Sequence, residues 1–317
     1  VRARELLGRG GPILGLLAVC IVFGIAVGPQ FFRPANLELI ARQTAIVGVA
    51  ALGMTMVIVA AGIDLSVGSI VALATVVIAV LLRAEVGPGL AAAGGVAAGA
   101  ACGAATGLLV TRLRVVPFIV TLGMMLLVRG VAKGLADERR IEAPASWLNG
   151  LLRSVEAGQK ALVPPGIWLL LALALLVAGV MRYTRFGRHL FAIGSNERTA
   201  RLCGVAVERC KVAVYTIAAG FAGLAGVMQF SKLSVGDPTV GIGLELDVIA
   251  AVIIGGGSLL GGRGTVLGSL LGATIMTVIQ IGCTQKGLPA WVQQIVTGGI
   301  IVLAVAVDRW RQGAPST

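Results

Sequence analysis

A few charged side chains in this sequence stand inside apolar runs, where they are costly and are read as functional by default. Asp64 and Ser66 lie in Gly62-Ile63-Asp64-Leu65-Ser66-Val67-Gly68-Ser69. Arg129 and Lys133 are four apart, on one face of a helix. Glu245 and Asp247 open a further apolar run. Each also has a plain structural reading. Asp64 and Ser66 either cap the following helix by accepting backbone N–H groups or line a pathway. Arg129 either snorkels to the nearer surface or faces the interior. Asp247 is either an N-cap or a pathway residue. Other chemistry is missing. A single histidine, His189, excludes His-rich metal centres and leaves little scope for His-based acid–base catalysis. Cys20, Cys102, Cys203, Cys210 and Cys283 are odd in number and lack a C-x-x-C, so they suggest neither a disulfide framework nor a zinc site. The nearest approach to a phosphate loop runs from Gly257 to Gly262. Arg263 and Gly264 stand there in place of the required Lys and Ser/Thr. No catalytic, metal or cofactor-binding residue is expected on this chain.

The elements that position these residues follow from composition. Of 317 residues, 57% are apolar and 13% are charged. Soluble domains carry roughly 25% charged residues, so an ordinary soluble enzyme is excluded, as is a disordered chain. The net charge of +12 is scattered between apolar runs rather than gathered on a polar domain, which argues against nucleic-acid binding. Ten segments suit a membrane span, at about 12–32, 43–61, 67–82, 88–111, 117–135, 165–181, 212–230, 247–261, 265–282 and 291–307. The first is too long for a signal-peptide core and reads as an uncleaved helix. With the N-terminus inside, the inner segments hold more Lys and Arg than the outer ones, so both termini are expected in the cytoplasm. The fold class is all-α integral membrane, a single domain over 1–317. Gly99, Gly103 and Gly107, like Gly268 and Gly272, recur every four residues and predict close helix packing. No internal repeat is visible.

Two polar segments are long. The outer one, 136–164, is rich in charge and includes Glu156 and Lys160. It is either a solvated connection or a functional loop. The inner one, 182–211, predicts a short helix. Ser195 or Asn196 suits an N-cap, Glu197 suits the first turn, Ala200 favours helix, and Gly204 is a natural stop. Such a helix lies in the headgroups or docks into a partner.

Four ordered stretches carry a family resemblance. They are Leu52 to Ser69; Pro117-Phe118-Ile119-Val120-Thr121-Leu122-Gly123-Met124 with Arg129-Gly130; Gly194-Ser195-Asn196-Glu197 through Ala200 to Gly204; and Glu245 to Gly256 continuing to Thr265. In this order the sequence resembles the permease subunit of ATP-binding-cassette sugar importers of the ribose/xylose type. The resemblance implies a multi-pass protein of the bacterial inner membrane. It implies a second permease copy or related chain, separate ATPase subunits that hold ATP and Mg²⁺, and an extracytoplasmic sugar-binding protein. It makes Gly194, Ser195, Asn196, Glu197, Ala200 and Gly204 the segment that couples to the ATPase. The charged outer loop and Cys283-Thr284-Gln285-Lys286-Gly287 depart from the family pattern. Gly257 and Leu260 depart from it slightly. Related permeases for amino acids or nucleosides are the nearest alternative, with the Gly-Ile-Asp-Leu-Ser stretch favouring sugar. An ion-coupled secondary transporter and a membrane protein with no transport role are the others.

Overall fold

The computed structural model describes residues 2–154 and 163–312, with side chains from residue 10 to 306. Glu156 and Lys160 lie outside the described residues, as do the side chains of Arg2, Arg4, Arg9, Arg309 and Arg311. The described chain is almost entirely helical: α1 (Arg2–Val27), α2 (Pro34–Val59), α3 (Val67–Arg83), α4 (Pro88–Leu113), α5 (Pro117–Leu135), α6 (Pro165–Tyr183), α7 (Arg185–Ser195), α8 (Glu197–Leu202), α9 (Val207–Leu233), α10 (Leu244–Ile254), α11 (Val266–Gln285) and α12 (Ala290–Gln312). Proline at the first or second position opens α2, α4, α5 and α6, where its missing N–H costs nothing.

Among the described residues, seven helices are long and apolar enough to cross a membrane: α1, α2, α4, α5, α6, α9 and α11. The other three expected spans are shorter. Helix α3 has 17 residues, the apolar part of α12 runs over Ala290–Ala306, and α10 has only 11 residues. The expected eighth span, 247–261, begins earlier and stops at Ile254, because Gly255 and Gly256 end it.

Helix α2 forms the centre, with 89% of its span buried, whereas α1 lies at the edge along α11 with 6% buried. The glycine spacing works as expected. A Cβ on Gly99 would lie 2.6 Å from the Ala219 carbonyl oxygen, and one on Gly103 would overlap the Tyr215 carbonyl. Helices α4 and α9 therefore pack backbone to backbone, where hydrophobicity cannot drive association. Gly268 and Gly272 of α11 do the same against Gly255 and Ala251 at α10.

An internal repeat is present after all. Helix α3 packs on α4 as α10 packs on α11. Helix α2 meets α10 and α11 as α9 meets α3 and α4. Helix α5 lies on α3 as α12 lies on α10. So α2–α5 and α9–α12 are equivalent quartets. Helices α2 and α9 run antiparallel, since Gly53 lies at Ala218 and Phe221 while the later Gly62 lies at Tyr215. The repeat is therefore inverted, a transporter architecture. Its sequence trace is one short motif, Asp64-Leu65-Ser66-Val67-Gly68 and Asp237-Pro238-Thr239-Val240-Gly241.

The described part of the outer segment, up to residue 154, folds onto the end of α9 rather than hanging in solvent. β1 (Ile141–Glu142) pairs antiparallel with β2 (Val235–Gly236). Leu148 and Leu152 are fully buried. The Leu152 N–H donates to Ser231 Oγ, and Asn149 donates to Ser234 Oγ.

Candidate functional site

Two features of the fold hold most of the residues singled out by the sequence: a polar layer at the C-terminal end of α2, and a pair of broken segments within the bundle.

The polar layer is α7 and α8. Asn196, not Ser195, is the N-cap of α8, and its Oδ1 accepts the Thr199 N–H at 2.9 Å. At the other end Gly204 has φ +85°. There the Val205 N–H donates to the Ala200 carbonyl and the Gly204 N–H to the Arg201 carbonyl. This is a Schellman closure, which needs a left-handed residue at that position. Glu197 pairs with Arg201 at 3.3 Å and with Lys211 at 2.7 Å, and Arg201 also pairs with Glu208. The bond to Glu208 raises the already high pKa of Arg201. Ala200 is buried with Ile193 and Val207, whereas Leu202 is 83% exposed. A six-residue helix is marginal alone, and here both caps and three ion pairs fix it. Beneath it lies a cavity of about 360 Å³ between the α4–α5 turn and the start of α9.

Helix α7 was not expected. Its cap, Thr184, accepts the Gly187 N–H at 3.1 Å, and it buries Gly187, Leu190, Ile193 and Gly194. The i, i+3, i+6, i+7 spacing was the available signal. Its two glycines and its position directly after α6 hid it.

Gly194 is not an exposed contact. A Cβ there would overlap the Val59 carbonyl at the end of α2 and crowd the Gly262 nitrogen. The Gly262 N–H donates to the Val59 carbonyl at 2.9 Å. The end of α7, the end of α2 and the α10–α11 turn thus form one rigid joint. Of the six residues expected to couple to a partner, Ser195, Asn196, Glu197 and Gly204 face outward, while Gly194 and Ala200 anchor the layer from behind.

The broken segments are 60–66 and 236–243. Asp64 is 1% exposed, and its Oδ1 accepts both the N–H and the hydroxyl of Ser66, at 2.8 and 2.6 Å. Asp237 repeats this with the N–H and hydroxyl of Thr239 at the same distances. Gly68 and Gly241 then touch backbone to backbone. Ser66 is the α3 N-cap by position, but its side chain donates to Asp64 instead of accepting an N–H. Non-helical backbone at membrane depth must be satisfied by the protein. Thr75 bonds the Asp237 N–H, and Arg129 donates to the Pro238 and Val240 carbonyls at 3.0 and 2.6 Å. Arg129 therefore faces inward and does not snorkel, whereas Lys133 is exposed. The segments lead directly into α3 and α10, which are short helices of 17 and 11 residues.

Asp247 is not an N-cap. Gly243, at φ +85°, takes that position, and Glu245 accepts the Gly243 N–H. Asp247 instead accepts from Gln280 and lines a cavity of about 760 Å³. This cavity also takes in Leu39 and Gln43 in the N-terminal half of α2, so it lies away from the α7–α8 layer. Asp64, Ser66 and Arg129 do not line it.

Residues 36–305 match the family described as the permease component of the branched-chain amino acid transport system. The chain belongs to this permease family. The permease is 39% identical to the ribose import permease protein RbsC of Escherichia coli K12, over 94% of its own length and 93% of that protein's. It is 36% identical to the fructose import permease protein FrcC of Rhizobium meliloti, over 94% and 84% of the two lengths. It is 34% identical to the L-arabinose ABC transporter permease protein AraH of Azospirillum brasilense, over 97% and 89%. No solved structure matches the permease. Its apolar helices make it a multi-pass membrane protein.

Proposed function

We propose that the permease is the membrane-spanning subunit of a binding-protein-dependent, ATP-driven importer that carries a monosaccharide into the cytoplasm. The observation that carries this reading is similarity over more than nine-tenths of the chain to permeases named for ribose, fructose and arabinose. The family's own description favours a branched-chain amino acid as the second reading. The full-length sugar relatives weigh against it.

In this reading ten helices span the inner membrane of a bacterium, with both termini in the cytoplasm. The α7–α8 layer then faces the cytoplasm and docks into an ATPase subunit that holds ATP and Mg²⁺. Ser195, Asn196, Glu197 and Gly204 present α8 to that partner. Gly194 and Ala200 pass its movement to α2 and to the α10–α11 turn. Arg129, Asp64 and Ser66 hold the two broken segments in register, so that movement at α2 changes how the inverted halves meet. The chain itself performs no chemistry. A second permease copy completes the channel, and an extracytoplasmic sugar-binding protein delivers cargo to the opposite face.

Gentle affinity purification from native membranes, with mass spectrometry of the bound proteins, tests this reading. An ATPase with a complete phosphate loop should come along in about equal amount, with one or more sugar-binding proteins. A folded permease that is repeatedly recovered alone would contradict it.

A further inference from the structure

The cavity of about 760 Å³ is walled by amides from three helices: Gln43 of α2, Gln280 and Gln285 of α11, and Gln293 and Gln294 of α12. Its size falls within the roughly 300–1,000 Å³ of small-molecule sites. Gln43, Gln280 and Gln293 are half-buried and Gln285 and Gln294 are exposed, so the wall is polar and open to a ligand.

Helix α12 is divided accordingly. Gln293, Gln294, Thr297 and Ile301 form one stripe on the cavity, at i, i+1, i+4 and i+8. Trp291, Ile295 and Val302 fall off that stripe and are exposed, as is Gln294 on it. The two charges at the cavity, Asp247 and Lys232, bond neutral amides. Asp247 accepts from Gln280, and Lys232 donates to Gln43 at 2.6 Å. Gln285 and Gln293 each donate to the protein, to Asn36 and to the Leu288 carbonyl. Among the described residues, Gln294 and Thr297 make no side-chain hydrogen bond. A carboxamide both donates and accepts, as does a sugar hydroxyl.

We infer that this cavity is a binding site for the neutral, polyhydroxylated cargo on the face away from α8, with Gln294 and Thr297 touching its hydroxyls. The inference rests on the sugar-import reading above.

The test measures uptake of radiolabelled D-ribose, D-fructose, L-arabinose and L-leucine by membrane vesicles holding the full permease with its co-expressed partners. Gln294→Leu and Thr297→Val remove the hydrogen-bonding groups, and Thr297→Val is isosteric. Gln294→Asn and Thr297→Ser keep them. Each apolar variant should lose about ten-fold of the sugar uptake at equal membrane abundance and equal ATPase co-purification, and each conservative variant should keep most of it. If Gln294→Leu does not accumulate in the membrane, Thr297→Val carries the test. Sugar uptake by both apolar variants at the unsubstituted rate would overturn the site while leaving the import reading intact. Uptake of L-leucine and of no sugar by the unsubstituted permease would overturn both.

Discussion

Asp64 shows how a buried carboxylate can be structural in a transporter. Its Oδ1 takes two hydrogen bonds from Ser66, and Asp237 makes the same pair with Thr239. Asparagine keeps an acceptor at that atom, so Asp64→Asn should preserve both uptake and thermal stability. Asp64→Ala strands a buried N–H and hydroxyl and should cost about 1–3 kcal/mol, read as a lower melting midpoint in detergent. A well-folded Asp64→Asn protein with no uptake would instead give the charge itself a role in the pathway. Gly194 carries a second prediction. Its missing side chain lets α7 touch Val59 and Gly262 through backbone alone. Gly194→Ala should destabilise by about 1–3 kcal/mol or more, again seen in the melting midpoint. An unchanged midpoint would mean that the joint is loose. The sequence marked Asp64, Arg129 and Asp247 as unusual by their apolar surroundings. It did not reveal the partners of Arg129, which bonds carbonyls more than a hundred residues away, and a carbonyl leaves no mark on residue type.

At the scale of elements, α8 was legible because its determinants are local. Asn196 at the start, Glu197 in the first turn and Gly204 beyond the end lie within nine residues. Helix α7 was not legible, because two glycines weaken its buried spacing and it follows α6 directly. Helix α10 was placed but drawn too long, as an apolar run continues through the turn that ends it. The capping geometry makes a specific prediction. Asn196→Ala removes one cap at a cost of about 1 kcal/mol. Gly204→Pro removes the N–H that bonds Arg201 and forbids φ +85°. The double variant should insert normally, bind ATPase poorly and lose most sugar uptake, with co-purification and vesicle uptake as the two readouts. Uptake at the unsubstituted rate would remove α8 from the coupling role.

At the scale of the molecule, composition alone identified a helical membrane bundle, and glycine spacing identified its tightest contacts. The inverted repeat stayed hidden because its halves share contacts rather than residues. Only Asp-x-Ser/Thr-Val-Gly survives twice. That architecture, with broken helices where the halves meet, also suits ion-coupled carriers, so the fold does not choose the energy source. It is the proposed docking of α8 into an ATPase that assigns the energy to ATP. Labelled D-ribose uptake in cells holding the permease and its partners, with ion gradients collapsed by ionophores and ATP held constant, addresses this directly. Uptake that persists without the gradients and stops when ATP is removed is the predicted result. Uptake that follows an ion gradient and ignores ATP would contradict the account.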